Sequence, residues 1–166
     1  MQDTGGIKRK TGIWIAWSAL IGFACGLSYE LIGLLLQFAW DSIGLHSGPV
    51  LQIRFLQAFL IGLLIVALAG FLPAMFFRAT SRELITATVA GAVSGTFAGI
   101  TMILFDYMQH FGYFADRAFS FSTVGNVLNV IAISPQFVLL LTIACAVVAS
   151  VSSLAYMKLD LEITLS

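Results

Sequence analysis

Trp17–Trp40, WSALIGFACGLSYELIGLLLQFAW, is a run of apolar and small residues that carries one formal charge, Glu30. As a helix it measures about 34 Å at 1.5 Å per residue, close to the distance between the interfaces that flank a ~30 Å hydrocarbon core. Tryptophan favours those interfaces. With both tryptophans there, Glu30 falls roughly 20 Å from one and 15 Å from the other, near the bilayer midplane. Steps of three and four place Ser18, Gly22, Gly26, Glu30, Gly33 and Gln37 on one stripe, with Leu, Ile, Phe and Ala dominating the rest. A carboxylate on the small-residue stripe is expected to face protein, not lipid.

Composition agrees with a chain dissolved in lipid. Of 166 residues 60% are hydrophobic and 10% charged, and the mean hydropathy is +1.00. A soluble domain carries about 25% charged residues, so this chain could not cover itself with polar groups in water. Formal net charge is zero, which removes the electrostatic footprint of a nucleic-acid-binding protein. The expected partners are the lipid bilayer and either further copies of the chain or other membrane subunits, with no nucleic acid.

The fold class expected is all-α: a polytopic integral membrane protein forming a single membrane domain over residues 1–166. Its four transmembrane helices are expected at about 13–40, 50–77, 84–105 and 135–156. The first apolar run is too long for a signal-peptide core and no A-x-A site follows it, so it reads as a retained span. Ser47-Gly48-Pro49 and Ser134-Pro135 mark starts for the second and fourth spans, because proline at the first helical position lacks only an N–H that would be unpaired there. Pro73 is expected to bend or fray the end of the second.

Between the third and fourth spans lies a long connection. Tyr107, Phe111, Phe114, Ala118 and Phe121 recur at helical spacing, as in a short amphipathic helix lying in the interface. Residues 124–134 are then an interfacial helix, a re-entrant segment or an extension of the last span. Lys8, Arg9, Lys10, Arg78, Arg82 and Lys158 fall on one side of this topology and Arg54 and Arg117 on the other. The positive-inside tendency therefore puts both termini in the cytoplasm.

Four groups of residues carry the candidate chemistry. The first is Glu30, an intramembrane acid and hence a candidate proton, ion or ligand site, with Thr96 and Thr142 expected at its depth. With no basic residue at that depth, burial disfavours its charged form. The second is a polar cluster at the outer side: Asp41, His46, Asp106, His110, Asp116 and Arg117. The duller reading of ordinary interface residues is preferred for that cluster. The third is helix packing through Gly22, Gly26 and Gly33 in the first span and the glycine-zipper pattern Gly91, Gly95, Gly99 in the third. The two stripes are expected to meet each other, and the second span, almost purely apolar, is expected to face lipid more. The fourth group is Cys25 and Cys145, read as small apolar side chains.

No metal-ligand spacing is present, and no cofactor is expected. The sequence contains no G-x-S-x-G, H-E-x-x-H or P-loop, and an intramembrane protease would need a second acid or a Ser–His pair at membrane depth. The chain is thus expected not to be an enzyme. It reads as a small non-catalytic membrane protein acting as a subunit or homo-oligomer. The alternative is a small proton- or cation-coupled transporter or channel component with Glu30 as the binding site.

Overall fold

The structure, a computed structural model, describes residues 4–43, 48–76, 83–110 and 135–165. These form four helices in chain order: α1 (Thr4–Ile43), α2 (Gly48–Ala74), α3 (Glu83–His110) and α4 (Pro135–Leu165). All four are long and apolar enough to cross a membrane. In a solvent without hydrogen-bonding groups every backbone N–H and C=O must be satisfied inside its own segment, which only a helix achieves for a single strand of chain. Side-chain hydroxyls follow the same rule. Ser18, Ser28, Ser42, Thr88, Thr96, Thr101 and Ser150 each donate to the carbonyl four residues earlier, at 2.7 to 2.8 Å.

The helix ends differ from the sequence reading where polar residues follow an apolar run. α1 begins at Thr4, so Lys8-Arg9-Lys10 belongs to the helix instead of preceding it. α3 continues past Asp106 to His110, and α4 continues through Lys158, Asp160 and Glu162. Polar residues end a hydrophobic run without ending a helix. Pro73 does mark an end: α2 closes at Ala74, and the Phe76 N–H turns back to the Pro73 carbonyl at 3.2 Å. The interfacial helix expected within 111–134, and residues 124–134 themselves, lie outside the described residues.

The helices pack in the cyclic order α1, α3, α4, α2, with α2 and α3 also touching across the middle. α3 is the most enclosed: half of its apolar span is buried, against 28% for α2, 22% for α1 and 17% for α4. α2, expected to face outward more than the others, is therefore no more exposed than α1 or α4. Its Ile65, Val66 and Ala69 are buried, the first two beside Met102, Cys145 and Ala149 of α3 and α4. A second cluster, Ala74, Ala87, Ala90 and Met157, lies at the Trp14 end of the bundle.

Small residues set which helices approach. A Cβ placed on Gly22 would collide with the Ser94 carbonyl, and one on Gly26 would stand 2.9 Å from the Ala98 carbonyl oxygen. The α1 stripe thus meets α3 along Ser94, Ala98 and Thr101. The glycines of α3 face elsewhere: Gly91, Gly95 and Gly99 lie against Ser153, Ala149 and Cys145 of α4. The two glycine stripes do not meet. Gly33 has nothing within 4 Å of its Cβ position and touches no helix there.

Ala149 is the common contact. Its carbonyl lies against Gly70 of α2 and Gly91 of α3, and its methyl lies against Gly95. Serines reinforce the same region. Ser153 donates to the Ala87 carbonyl at 2.7 Å and Ser152 to the Ala67 carbonyl at 2.8 Å, tying α4 to α3 and α2. Cys25 and Cys145 are both free.

Candidate functional site

On α1 the stripe Ser18, Gly22, Gly26, Glu30 is buried, and its continuation, Gly33 and Gln37, is exposed. Glu30 is the last buried residue of that stripe, with 7% of its surface accessible. The pairs Gly22–Ser94 and Gly26–Ala98 fix a parallel register between α1 and α3, and one turn further that register brings Glu30 level with Met102. The sequence reading sets Glu30 level with Thr96 of α3. The observed register slides α3 about two turns relative to that estimate.

Beside Glu30, α1 and α2 part to leave a partly open cavity of about 220 Å³. Its polar lining is Tyr29, Glu30, Gln37 and Trp40 from α1 with Arg54 and Gln57 from α2; Leu36, Ala58 and Ile61 supply apolar wall. Glu30 stands at the deep end. At the other, Trp40 donates its indole N–H to the Gln57 amide oxygen at 3.1 Å. The Arg54 guanidinium covers the same indole, its central carbon 5.4 Å from the ring centroid. Arg54 also pairs with Asp41 at 3.4 Å, with side chains 27% and 49% exposed. A pair that open to its surroundings contributes about 1 kcal/mol at most.

α1 supplies acid, amide and indole along one side because Glu30, Gln37 and Trp40 follow at helical spacing. α2 supplies the guanidinium and second amide from Arg54 and Gln57, three apart and so on one face. The result is a cavity lined by an acid side chain from α1, a guanidinium from α2, and the amide, phenol and indole groups of Gln37, Gln57, Tyr29 and Trp40.

The remaining sequence candidates lie apart. Neither Thr96 nor Thr142 lines this cavity. Thr96 gives its hydroxyl to Ala92 within α3, and Thr142 packs beside Gly99 at the α3–α4 contact. Of the polar cluster, Asp41 is described and pairs with Arg54. His46, Asp116 and Arg117 lie outside the described residues, as do the side chains of Asp106 and His110. Among the described residues no group of three His, Cys, Asp or Glu is placed to hold a metal ion.

Sequence reasoning assigned Arg54 to the membrane boundary and gave Gln57 no role. Their three-residue spacing opposite a Glu-bearing helix was the available signal. It also passed over Ser152 and Ser153, hydroxyls in an otherwise apolar span, which bridge helices here. A second groove, of about 450 Å³, lies at the Trp14 end, where Ile13, Trp14, Trp17 and Ile21 face Pro73 and Phe76; it is almost wholly apolar.

No family model, curated protein or solved structure matches this chain.

Proposed function

We propose that this chain is a small, non-catalytic integral membrane protein that serves as a component of a transport step, with Glu30 taking up a proton or cation from the α1–α2 cavity. One observation carries the reading: Glu30 is 93% buried in a helix of spanning length, yet it lines a polar cavity. An acid at bilayer depth is costly and persists where it pairs, packs inward or lines a pathway. The cavity makes the third of these the natural reading.

The cavity lies between two helices at the edge of the bundle, and four spans supply little wall for a complete passage. A second copy or another membrane subunit completing the wall is part of the proposal. Exposed Gln37 and the open notch at Gly33, both bordering the cavity, favour such a neighbour. With the basic residues counted by side, the Trp40 end faces outward and both termini are cytoplasmic.

The test is flux in proteoliposomes containing the full chain, read by a pH-sensitive dye and by a panel of small cations. Wild type moves a proton or cation; Glu30→Gln stops that movement while keeping its helicity and melting behaviour, and Glu30→Asp keeps part of it. Flux of equal rate in Glu30→Gln would refute the assignment.

A further inference from the structure

We propose that the apolar groove between α1 and α2 at the Trp14 end binds one anionic phospholipid, with an acyl chain in the groove and the headgroup phosphate at the Lys8-Arg9-Lys10 turn of α1. The site is separate from the Glu30 cavity, and the inference does not depend on transport there.

α1 and α2 part a second time at this end. Ile13, Trp14, Trp17 and Ile21 of α1 face Pro73 and Phe76 of α2 across a space of about 450 Å³. From Ile13 to Ile21 the groove follows α1 for about 12 Å. Ser18 supplies the one hydroxyl in the lining, and it already donates to the Trp14 carbonyl at 2.8 Å. A wall of this kind accepts hydrocarbon in preference to a polar solute.

A helix from a second copy or another subunit is a poorer occupant. In lipid, helices approach one another through small residues. On α1 those are Gly22 and Gly26, and α3 already fills both. The groove is walled instead by large rings, with Trp17 and Phe76 57% and 62% exposed. Rings that stand out this far hold a helix backbone away, whereas a flexible chain can lie between them.

Charge selects the headgroup. Lys8, Arg9 and Lys10 are the chain's one run of consecutive basic residues, and α1 carries them as helix up to three residues before Ile13. Lys10, Ile13, Trp14, Trp17 and Ile21 follow at helical spacing, which places Lys10 on the groove's face of α1 and about 5 Å along the axis from it. Glu83 at the start of α3 and Asp160 and Glu162 near the end of α4 belong to the same end of the bundle, but none of them lines the groove. A basic cluster beside a span attracts anionic lipid by about fivefold per residue. A phosphodiester at that turn of α1 meets its opposite charge while the attached chain enters the groove.

The experiment is tryptophan quenching in phosphatidylcholine vesicles doped with phosphatidylglycerol or phosphatidylcholine brominated on an acyl chain. The full chain carries Trp40→Phe, so that emission comes from Trp14 and Trp17. Brominated phosphatidylglycerol should quench saturably, at a lipid fraction at least about fivefold below that needed by brominated phosphatidylcholine. The triple variant Lys8→Gln, Arg9→Gln, Lys10→Gln should lose this preference. Phe76→Ala removes a wall of the groove and no charge, and it should weaken the preference severalfold. Equal quenching by the two lipids would overturn the inference. So would a preference untouched by Phe76→Ala, which would mean attraction to the membrane surface without a groove site. Quenching by neither lipid in a chain that proves dimeric would assign the groove to a second copy. Native mass spectrometry of wild type repeats the comparison with no substitution. One phosphatidylglycerol should stay bound where phosphatidylcholine does not, and equal retention would count against the site.

Discussion

The indole N–H of Trp40 on α1 donates to the amide oxygen of Gln57 on α2, 3.1 Å away, and this bond crosses the end of the cavity opposite Glu30. With Arg54 stacked on the same indole and paired to Asp41, three side-chain contacts join the two helices where small-residue packing has ceased. Gly33, the last glycine of the α1 stripe, touches nothing, so this end of α1 is held by polar groups instead of close backbone approach.

Gln57→Leu removes the acceptor and leaves the Trp40 N–H to whatever the cavity offers. In a Trp14→Phe, Trp17→Phe background, where Trp40 is the remaining tryptophan, its fluorescence emission should shift to shorter wavelength. Stability should fall by about 1 kcal/mol, the usual net contribution of one hydrogen bond. Unchanged emission would mean that the bond is not made.

Glycine substitutions should separate into two classes. Gly70→Ala and Gly22→Ala drive a methyl into the backbone carbonyls of Ala149 and Ser94, atoms that cannot rotate away. Each should cost about 1–3 kcal/mol, the range for overpacking, measured by unfolding in mild detergent. Gly33→Ala and Gly12→Ala meet open space and should be neutral or slightly stabilising.

The α3–α4 contact has a covalent test. A Cβ on Gly99 would stand 3.0 Å from the Cys145 Cβ, near the 3.5–4.5 Å span of a disulfide. Gly99→Cys in a Cys25→Ala background should cross-link to Cys145 within one chain under mild oxidant. If the glycine stripe of α3 faced α1 instead, no such bond would form.

Ser153→Ala and Ser152→Ala each remove a hydroxyl that ties α4 to a neighbouring backbone carbonyl. Interhelical bonds of this kind average about 0.6 kcal/mol and reach about 1.7 kcal/mol. Ser153, fully buried between α3 and α4, should lie at the upper end, and Ser152, half-buried, at the lower. Unfolding of the two single variants gives the order directly.

The sequence announced four helices plainly, because a run of apolar residues long enough to span has few other stable forms in lipid. It located close contacts too: Gly22, Gly26, Gly91, Gly95 and Gly99 all lie where another helix approaches. What it could not supply was the partner. A glycine notch has the same appearance whether α1, α4 or lipid fills it, and so the α3 stripe was matched to the wrong neighbour and Gly33 to a neighbour it lacks. Depth was misjudged for a related reason. Interface tryptophans estimate where one helix begins, but the register between α1 and α3 is set by which small residues meet, and Gly22 meets Ser94. For the candidate site, Glu30 was legible as an acid in an apolar run. Arg54 and Gln57 were not, because their importance comes from α2 lying beside α1, and nothing in an apolar segment says which of its faces is covered.

The most direct measurement is thiol accessibility along one helical turn of α1. In a cysteine-free chain reconstituted in vesicles, single cysteines at 30 and 33 line the cavity, whereas those at 31 and 35 replace leucines on the exposed apolar face. A membrane-impermeant thiol reagent should modify positions 30 and 33 from the Trp40 side and leave 31 and 35 untouched. Equal labelling at all four positions, or labelling at 31 and 35 alone, would contradict a polar cavity that leads to Glu30.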